Sequence, residues 1–304
     1  QKPCDTKERH SGPHSINPNN KNNKAIILLK ILDLNCIDPN FSFSNKNLLL
    51  FACDNEFVDV VKKLLQYDVI DVNVINQLTG NTPIFSAIIN NNQEIFQLLA
   101  GHPKINMNHK NLKGQSVLTY AVLNNKKKFV EFILQNKNFN IDENEINHAF
   151  YDSKNYELSK LFVDFKSLDV NFIPINDYDS VFSKVNNKEF VQSSLMKAIK
   201  NKDDELFDLI IQHPSFKIVK SQLINSFILA FNFDSVSAFR KLIELFIKIY
   251  HDINAPAFNG NSLLVEAIIQ KARINIISLI LNYPNFDSKK SDILKAFVDS
   301  YTVT

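Results

Sequence analysis

The segment SVLTYAVLNNKKKFVEFIL at residues 116–134 lies without a gap over TPIFSAIINNNQEIFQLLA at residues 82–100, a step of 34 residues. Ala121 falls on Ala87, Phe129 on Ile95 and Phe132 on Leu98. A period of this length constrains the fold more than any other feature of the chain, because each copy must be one small structural unit. Stepping back 35 residues, NLLLFACDNEFVDVVKKLL (47–65) aligns in the same way, with Ala52 at the alanine position and Val60, Val61 and Leu64 behind it. SSLMKAIKNKDDELFDLII (193–211) also fits without a gap, and SLLVEAIIQKARINIISLI (262–280) fits with one residue inserted. INHAFYDSKNYELSKLFVDF (146–165) and INSFILAFNFDSVSAFRKLIELF (224–246) are weaker copies, and DILKAFVDSY (292–301) resembles one more first half.

Within a copy, apolar residues recur at helical spacing: Ile84, Ala87 and Ile88, then Ile95, Leu98 and Leu99 after a polar NNNQ. Two short amphipathic helices follow from that pattern. Thr82 supplies an N-cap oxygen and Pro83 takes the first helical position, where its missing N–H is no loss. Pro103 stops the second helix near Gly101, because the residue before a proline is pushed toward extended geometry. A lone helix pair cannot bury its own apolar face, so successive pairs stack and stability sums along the array. Phe96, Phe129, Phe132, Phe162 and Phe207 stand at core positions of that stack.

Between copies a second pattern recurs: IDVNVINQLTGNT (70–82), INMNHKNLKGQS (105–116), LDVNFIP (168–174) and HDINAPAFNGNS (251–262). Each reads as a short extended segment followed by turn residues. Residues 172–192 break the period, since Ala149 and Ala198 are 49 residues apart. The spacing predicts either an extra loop or short helix packed on the array, or an enlarged recognition loop containing Tyr178, Phe182 and Phe190. Residues 1–23 are polar, hold several prolines and lack hydrophobic periodicity, which predicts a disordered tail. The array runs over 24–304 as about seven units, opened by a helix over AIILLKIL (25–32).

These segments resemble ankyrin repeats. TPIFSA (82–87) matches the family's TPLHxA start, Gly80 its glycine two residues before the threonine, EIFQLLA (94–100) its second helix, and IDVN (70–73) its DVN. The resemblance covers roughly 40–300 and departs where Phe85 stands for the family's histidine and where units end in His-Pro or Tyr-Pro. Such endings and the Asn-rich linkers look like the large divergent ankyrin sets of protists. The resemblance implies an all-α fold, an α-solenoid of stacked helix-turn-helix repeats, acting as a protein-binding scaffold without catalysis. It implies binding through turn tips and the exposed side of the first helices. That nominates Asn76, Gln77, His109, Lys110, Asn111, Asp177, Tyr178, Asn259 and Asn261 at tips, and Ser86 and Tyr120 on inner helices. An alternative expectation is a regulatory or targeting repeat portion of a larger multidomain protein.

Composition removes other function classes. The chain carries 34 Lys+Arg against 32 Asp+Glu, so no overall field draws in nucleic acid or an anionic membrane. Three cysteines, Cys4, Cys36 and Cys53, form no disulfide framework and no zinc spacing, which fits a reducing, cytoplasmic setting. Lys30, Glu244 and Lys248 interrupt the longest apolar runs below the ~18–20 residues a membrane helix needs. The expected state is a monomer that binds another protein, with no membrane insertion, no cofactor, no metal and no catalytic residue. His102-Pro103 and His213-Pro214 recur at matching places, as does Tyr283-Pro284, and a site used once does not repeat in this way. Asp203, Asp204 and Glu205 lack a calcium loop's alternation, and Lys126, Lys127 and Lys128 lack interleaved aromatics, so both runs read as solvated. Five glycines form no phosphate-binding motif. The abundance of Asn is read as codon bias, and the sequon Asn40-Phe41-Ser42 as chance.

Overall fold

The computed structural model describes residues 18–34, 37–43, 46–137, 139–174, 193–258, 260–287 and 289. The chain divides into two compact units, one of residues 1–121 with 128–140 and the other of 122–127 with 141–304. Each is a two-layer stack of short helices, the all-α repeat architecture that the period predicts.

In the first unit, α1 (Pro18–Asp33) is followed by a small hairpin of β1 (Ser42–Phe43) and β2 (Lys46–Asn47). The pairs α2 (Leu48–Asp54) with α3 (Val58–Leu64) and α4 (Pro83–Ile89) with α5 (Gln93–Ala100) come next. First helices pack on first helices, α2 against α4, and second helices on second helices, α1 against α3 and α3 against α5. α1 therefore occupies the layer of second helices. It begins at Pro18, so residues 18–23, expected in the polar tail, are its opening turns. Proline is suited to the first helical position, which is why the helix starts ahead of its apolar stretch. The helices α6 (Val117–Leu123) and α7 (Lys127–Gln135) follow, of which residues 122–127 are counted with the second unit.

The second unit contains α8 (Glu143–Asp152), α9 (Tyr156–Ser159) running into a 3-10 turn (Lys160–Phe162), and α10 (Ser194–Asn201) with α11 (Asp204–Gln212). It continues with α12 (Lys220–Phe233) and α13 (Val236–Tyr250), then α14 (Leu263–Ile269) and α15 (Ile274–Leu281). Again the layers are separate, with α10 on α12, and α9, α11, α13 and α15 in file.

Helices of seven or eight residues are too short to hold alone, so burial carries them. One alanine recurs at the heart of each first helix, as Ala52, Ala87, Ala121, Ala149, Ala198, Ala230 and Ala267, and all seven are buried. A methyl group lets neighbouring first helices approach closely. Larger side chains fill the space behind, as where the rings of Phe96 and Phe129 meet edge to face at 5.2 Å. Phe162 and Phe207 are buried as expected, while Phe132 is half-buried with its ring 6.3 Å from that of Phe96.

The linkers are joined by a repeated side-chain clip. Asn73 donates through Nδ2 to the Lys104 carbonyl at 2.7 Å, and its Oδ1 accepts the Asn106 amide at 2.7 Å. Asn40 does the same with Val69 and Asp71, Asn171 with Ser215 and Lys217, and Asn254 with Asn285 and Asp287. In every case the side-chain amide stands in for a peptide group across two linkers. The residue two before each clip aims it, since the Oδ1 atoms of Asp38, Asp71, Asp169 and Asp252 accept the amides of Asn40, Asn73, Asn171 and Asn254 at 2.9 Å. These asparagines have a structural role that a reading from codon bias misses. The Asn40 sequon is spent in the same way, on holding a linker.

Asp142 and Val219 stand where the clip asparagine of a linker is expected, and the helices α8 and α12 begin immediately after them. These two copies have no hairpin tip. Their helices start at Glu143 and Lys220, ahead of the expected 146 and 224. The segment expected as an insertion near 172–192 lies, from residue 175 on, outside the described residues.

Candidate functional site

Two consecutive tips of the first unit, residues 74–82 and 108–116, are built almost alike. In the first, the Asn76 amide donates to the Asn81 carbonyl at 2.9 Å and the Gly80 amide to the Asn76 carbonyl at 2.8 Å, while Asn76 Oδ1 accepts the Leu78 amide at 2.9 Å. In the second, Asn111 takes the Asn76 role: its amide donates to the Gln115 carbonyl, and its Oδ1 accepts the amides of Lys113 and Gln115, both at 3.0 Å. Gly80 and Gly114 close the turns at φ +72° and +73°, a region that other residues enter at a cost.

The tips are also fastened to each other. The Leu112 amide donates to the Thr79 carbonyl at 3.1 Å, and Asn111 Nδ2 donates to Asn81 Oδ1 at 3.1 Å. His109 Nε2 lies 2.7 Å from the Gly80 carbonyl, which can only accept, so the ring donates through Nε2–H. Its ring stands edge-on to Phe85, which in turn meets Tyr120 at 5.7 Å. A Cβ at Gly80 would lie 2.5 Å from the Leu112 nitrogen, so the two loops are in close contact there.

This geometry sorts the nominated residues. Gln77 and Lys110 are exposed, and Asn76, His109, Tyr120 and Asn261 half-buried. Asn261 pairs its backbone with Phe258 in an isolated bridge of the second unit. Two expectations of exposure are corrected. Ser86 is only 4% exposed, because α4 is enclosed along its length and among its residues only Ile89 reaches solvent. Asn111 is 8% exposed, because all its polar atoms are turned inward to hold the tip. Asp177, Tyr178 and Asn259 lie outside the described residues.

Two leucines also stand exposed on the tips. Leu78 is 73% exposed and Leu112 72%, and they occupy the same place in consecutive repeats, two residues before Gly80 and Gly114. Phe41 and Ile75 are exposed beside the same file of linkers. An apolar residue is usually assigned to a core; the signal available here was position, a leucine inside a turn of polar residues and glycine.

The groups that could support chemistry are occupied structurally. Asp203 caps α11 through Leu206, Lys127 pairs with Glu157, and the ring of His148 lies against Phe172. His213 donates through Nε2 to the Val163 carbonyl and accepts from Ser215 at Nδ1. Burial, and next the charge of Asp54, push the Cys53 thiol far above its ordinary range, so it is a poor nucleophile. Among the described residues no group of three or more His, Cys, Asp or Glu side chains could hold a metal ion, and no helix is long and apolar enough to cross a membrane.

The family model described as ankyrin repeats (3 copies) matches residues 16–111 and 49–149. The crystal structure of the ankyrin repeat domain of Bcl-3, a unique member of the IkappaB protein family, superposes with a TM-score of 0.56 at 16% identity, covering 79% of this chain and 100% of that one. EF0377, an ankyrin repeat protein, gives a TM-score of 0.44 at 17% identity over 80% of this chain and 100% of its own. No curated protein matches the sequence.

Proposed function

This chain is a divergent ankyrin-repeat protein, and on that premise we propose that it is a non-catalytic protein-binding scaffold whose contact surface is the pair of tips at 74–82 and 108–116. Ankyrin repeats generally serve as protein-interaction modules. The observation that carries the assignment to the tips is the exposure of Leu78 and Leu112 on loops whose backbones are internally bonded and cross-linked to each other. Exposed apolar side chains on a rigid frame lose little conformational freedom on binding, which favours association. Gln77 and Lys110 surround them, and Ser86 and Asn111 support the frame from within.

The test compares the full chain with its Leu78→Ser/Leu112→Ser variant as immobilised baits in an extract of the source organism, read by quantitative mass spectrometry. The reading expects proteins retained by the parent chain and absent from the variant, with circular dichroism and melting temperature unchanged. Equal retention by both baits overturns the assignment to the tips, and a large drop in melting temperature makes the leucines structural.

A further inference from the structure

We infer that the partner surface read by these tips is an acidic amphipathic helix, an inference that rests on the tip reading above. The main chain of the tips offers few free donors. The amides of Leu78, Thr79, Gly80 and Asn81 in one tip, and of Leu112, Lys113, Gly114 and Gln115 in the other, all donate to acceptors within the two loops. A partner strand that joins by edge pairing needs free main-chain groups, and these donors are already used. With those eight donors engaged, the side chains carry more of the recognition surface.

The side chains present two matched apolar knobs. Leu78 and Leu112 occupy equivalent places on consecutive repeats, and the Leu112 amide donates to the Thr79 carbonyl at 3.1 Å, so the two leucines stand on adjoining loops. A helix advances about 1.5 Å per residue, so residues four and seven apart on one face stand about 6 and 10 Å apart and can straddle two neighbouring knobs. Apolar residues at i and i+7, with another at i+3 or i+4, set a partner helix along the two knobs.

Charge selects the sign of its flanks. Lys110 and Lys113 are exposed beside Leu112, and neither 74–82 nor 108–116 contains an aspartate or glutamate. Two lysines without a local counter-charge favour carboxylates on the partner and oppose lysine or arginine there. This local charge contrasts with the chain as a whole, which is nearly balanced.

The experiment is a selection from a displayed library of random peptides against the full chain, with elution by the free chain and a counter-selection on the Leu78→Ser/Leu112→Ser variant. The expected result is a tip-dependent set with helical apolar spacing and Glu or Asp flanks. Its affinity should fall at least tenfold in Lys110→Glu/Lys113→Glu and should weaken as salt is raised. Tip-dependent peptides that are basic, or that alternate in a strand pattern, overturn the inference and leave the tip reading standing. Peptides indifferent to the leucine variant, or an empty selection, overturn both. Tip-dependent binding of phosphatidylserine vesicles in place of peptides overturns both by assigning the patch to a membrane surface.

Discussion

Asn73 and Asn106 lie 33 residues apart in the chain, yet the Asn106 amide donates to the Asn73 side-chain oxygen at 2.7 Å. Together with the bond from Asn73 Nδ2 to the Lys104 carbonyl, it ties one linker to the next at the level of single atoms. Replacing Asn73 by Ala leaves two backbone groups to water and should lower stability by about 1 kcal/mol in urea unfolding. Asn73→Asp keeps the acceptor but sets a carboxylate against the Lys104 carbonyl, and should lose at least as much. Asn22→Ala, on the exposed face of α1, should change stability by less than about 0.5 kcal/mol. Equal effects at positions 73 and 22 would remove the clip from the account.

The turns between paired helices carry a second expectation. Glu56, Asn91, Asn125, Lys202, Asp234 and Lys271 all sit there with φ between 52° and 58°. A side chain in that region is strained by about 1–2 kcal/mol, part of which Gly would return to the unfolded chain as freedom. Glu56→Gly and Lys202→Gly should therefore each raise stability by about 0.5–1 kcal/mol. Asn91→Gly should be close to neutral, because Asn tolerates this region. The denaturation midpoints of the three variants decide the matter, and a loss in the first two would contradict it.

Thr82 marks where helix capping fails in detail. It stands at the N-cap of α4 as expected, with Pro83 after it, but its hydroxyl makes no cap bond and is buried without a partner. The Phe85 amide that a cap would accept donates to the Thr82 carbonyl, and the Phe85 side chain offers no polar atom. At the equivalent place in another repeat, Ser193 does accept from Met196. Thr82→Val should leave stability unchanged or raise it by up to about 1 kcal/mol, whereas Ser193→Ala should lower it by about 1 kcal/mol. A clear loss in Thr82→Val, seen by thermal melting, would show that the hydroxyl has a partner.

Acid should weaken the fold through His102. Burial, and then the charge of Lys104, hold its imidazole below the ordinary histidine range, while Nδ1 accepts the Lys104 amide at 3.3 Å. The folded state thus binds this proton less readily than the unfolded state. Its contribution is present above about pH 6.5 and is lost as pH falls below that value. Urea midpoints between pH 7.5 and 5 should decline less steeply in His102→Gln than in the parent. Parallel declines would assign the acid response to other groups.

The repeat layout was legible because helical spacing survives divergence: Ile84, Ala87 and Ile88 face the core whatever loops connect them. The candidate site was only partly legible. Ser86 and Leu78 show why, since polarity predicts exposure for an isolated helix or turn, while here the neighbouring repeats decide it. Ser86 is enclosed by stacking, and Leu78 is carried outward by a turn closed by bonds from the Leu78, Thr79 and Gly80 amides to Asn76. The asparagine clips were hidden for a different reason. In a chain with so many asparagines, only the spacing of Asp71 and Asn73, repeated at Asp169 and Asn171 and at Asp252 and Asn254, separates a structural amide from background.

The most direct test of the account is hydrogen exchange of the full chain with and without a bound partner recovered by the tip-dependent capture. Exchange at the amides of 78–81 and 112–115 should slow markedly on binding, with α3 and α5 unchanged. Protection confined to the second-helix layer, with both tips exchanging as in the free chain, would contradict it.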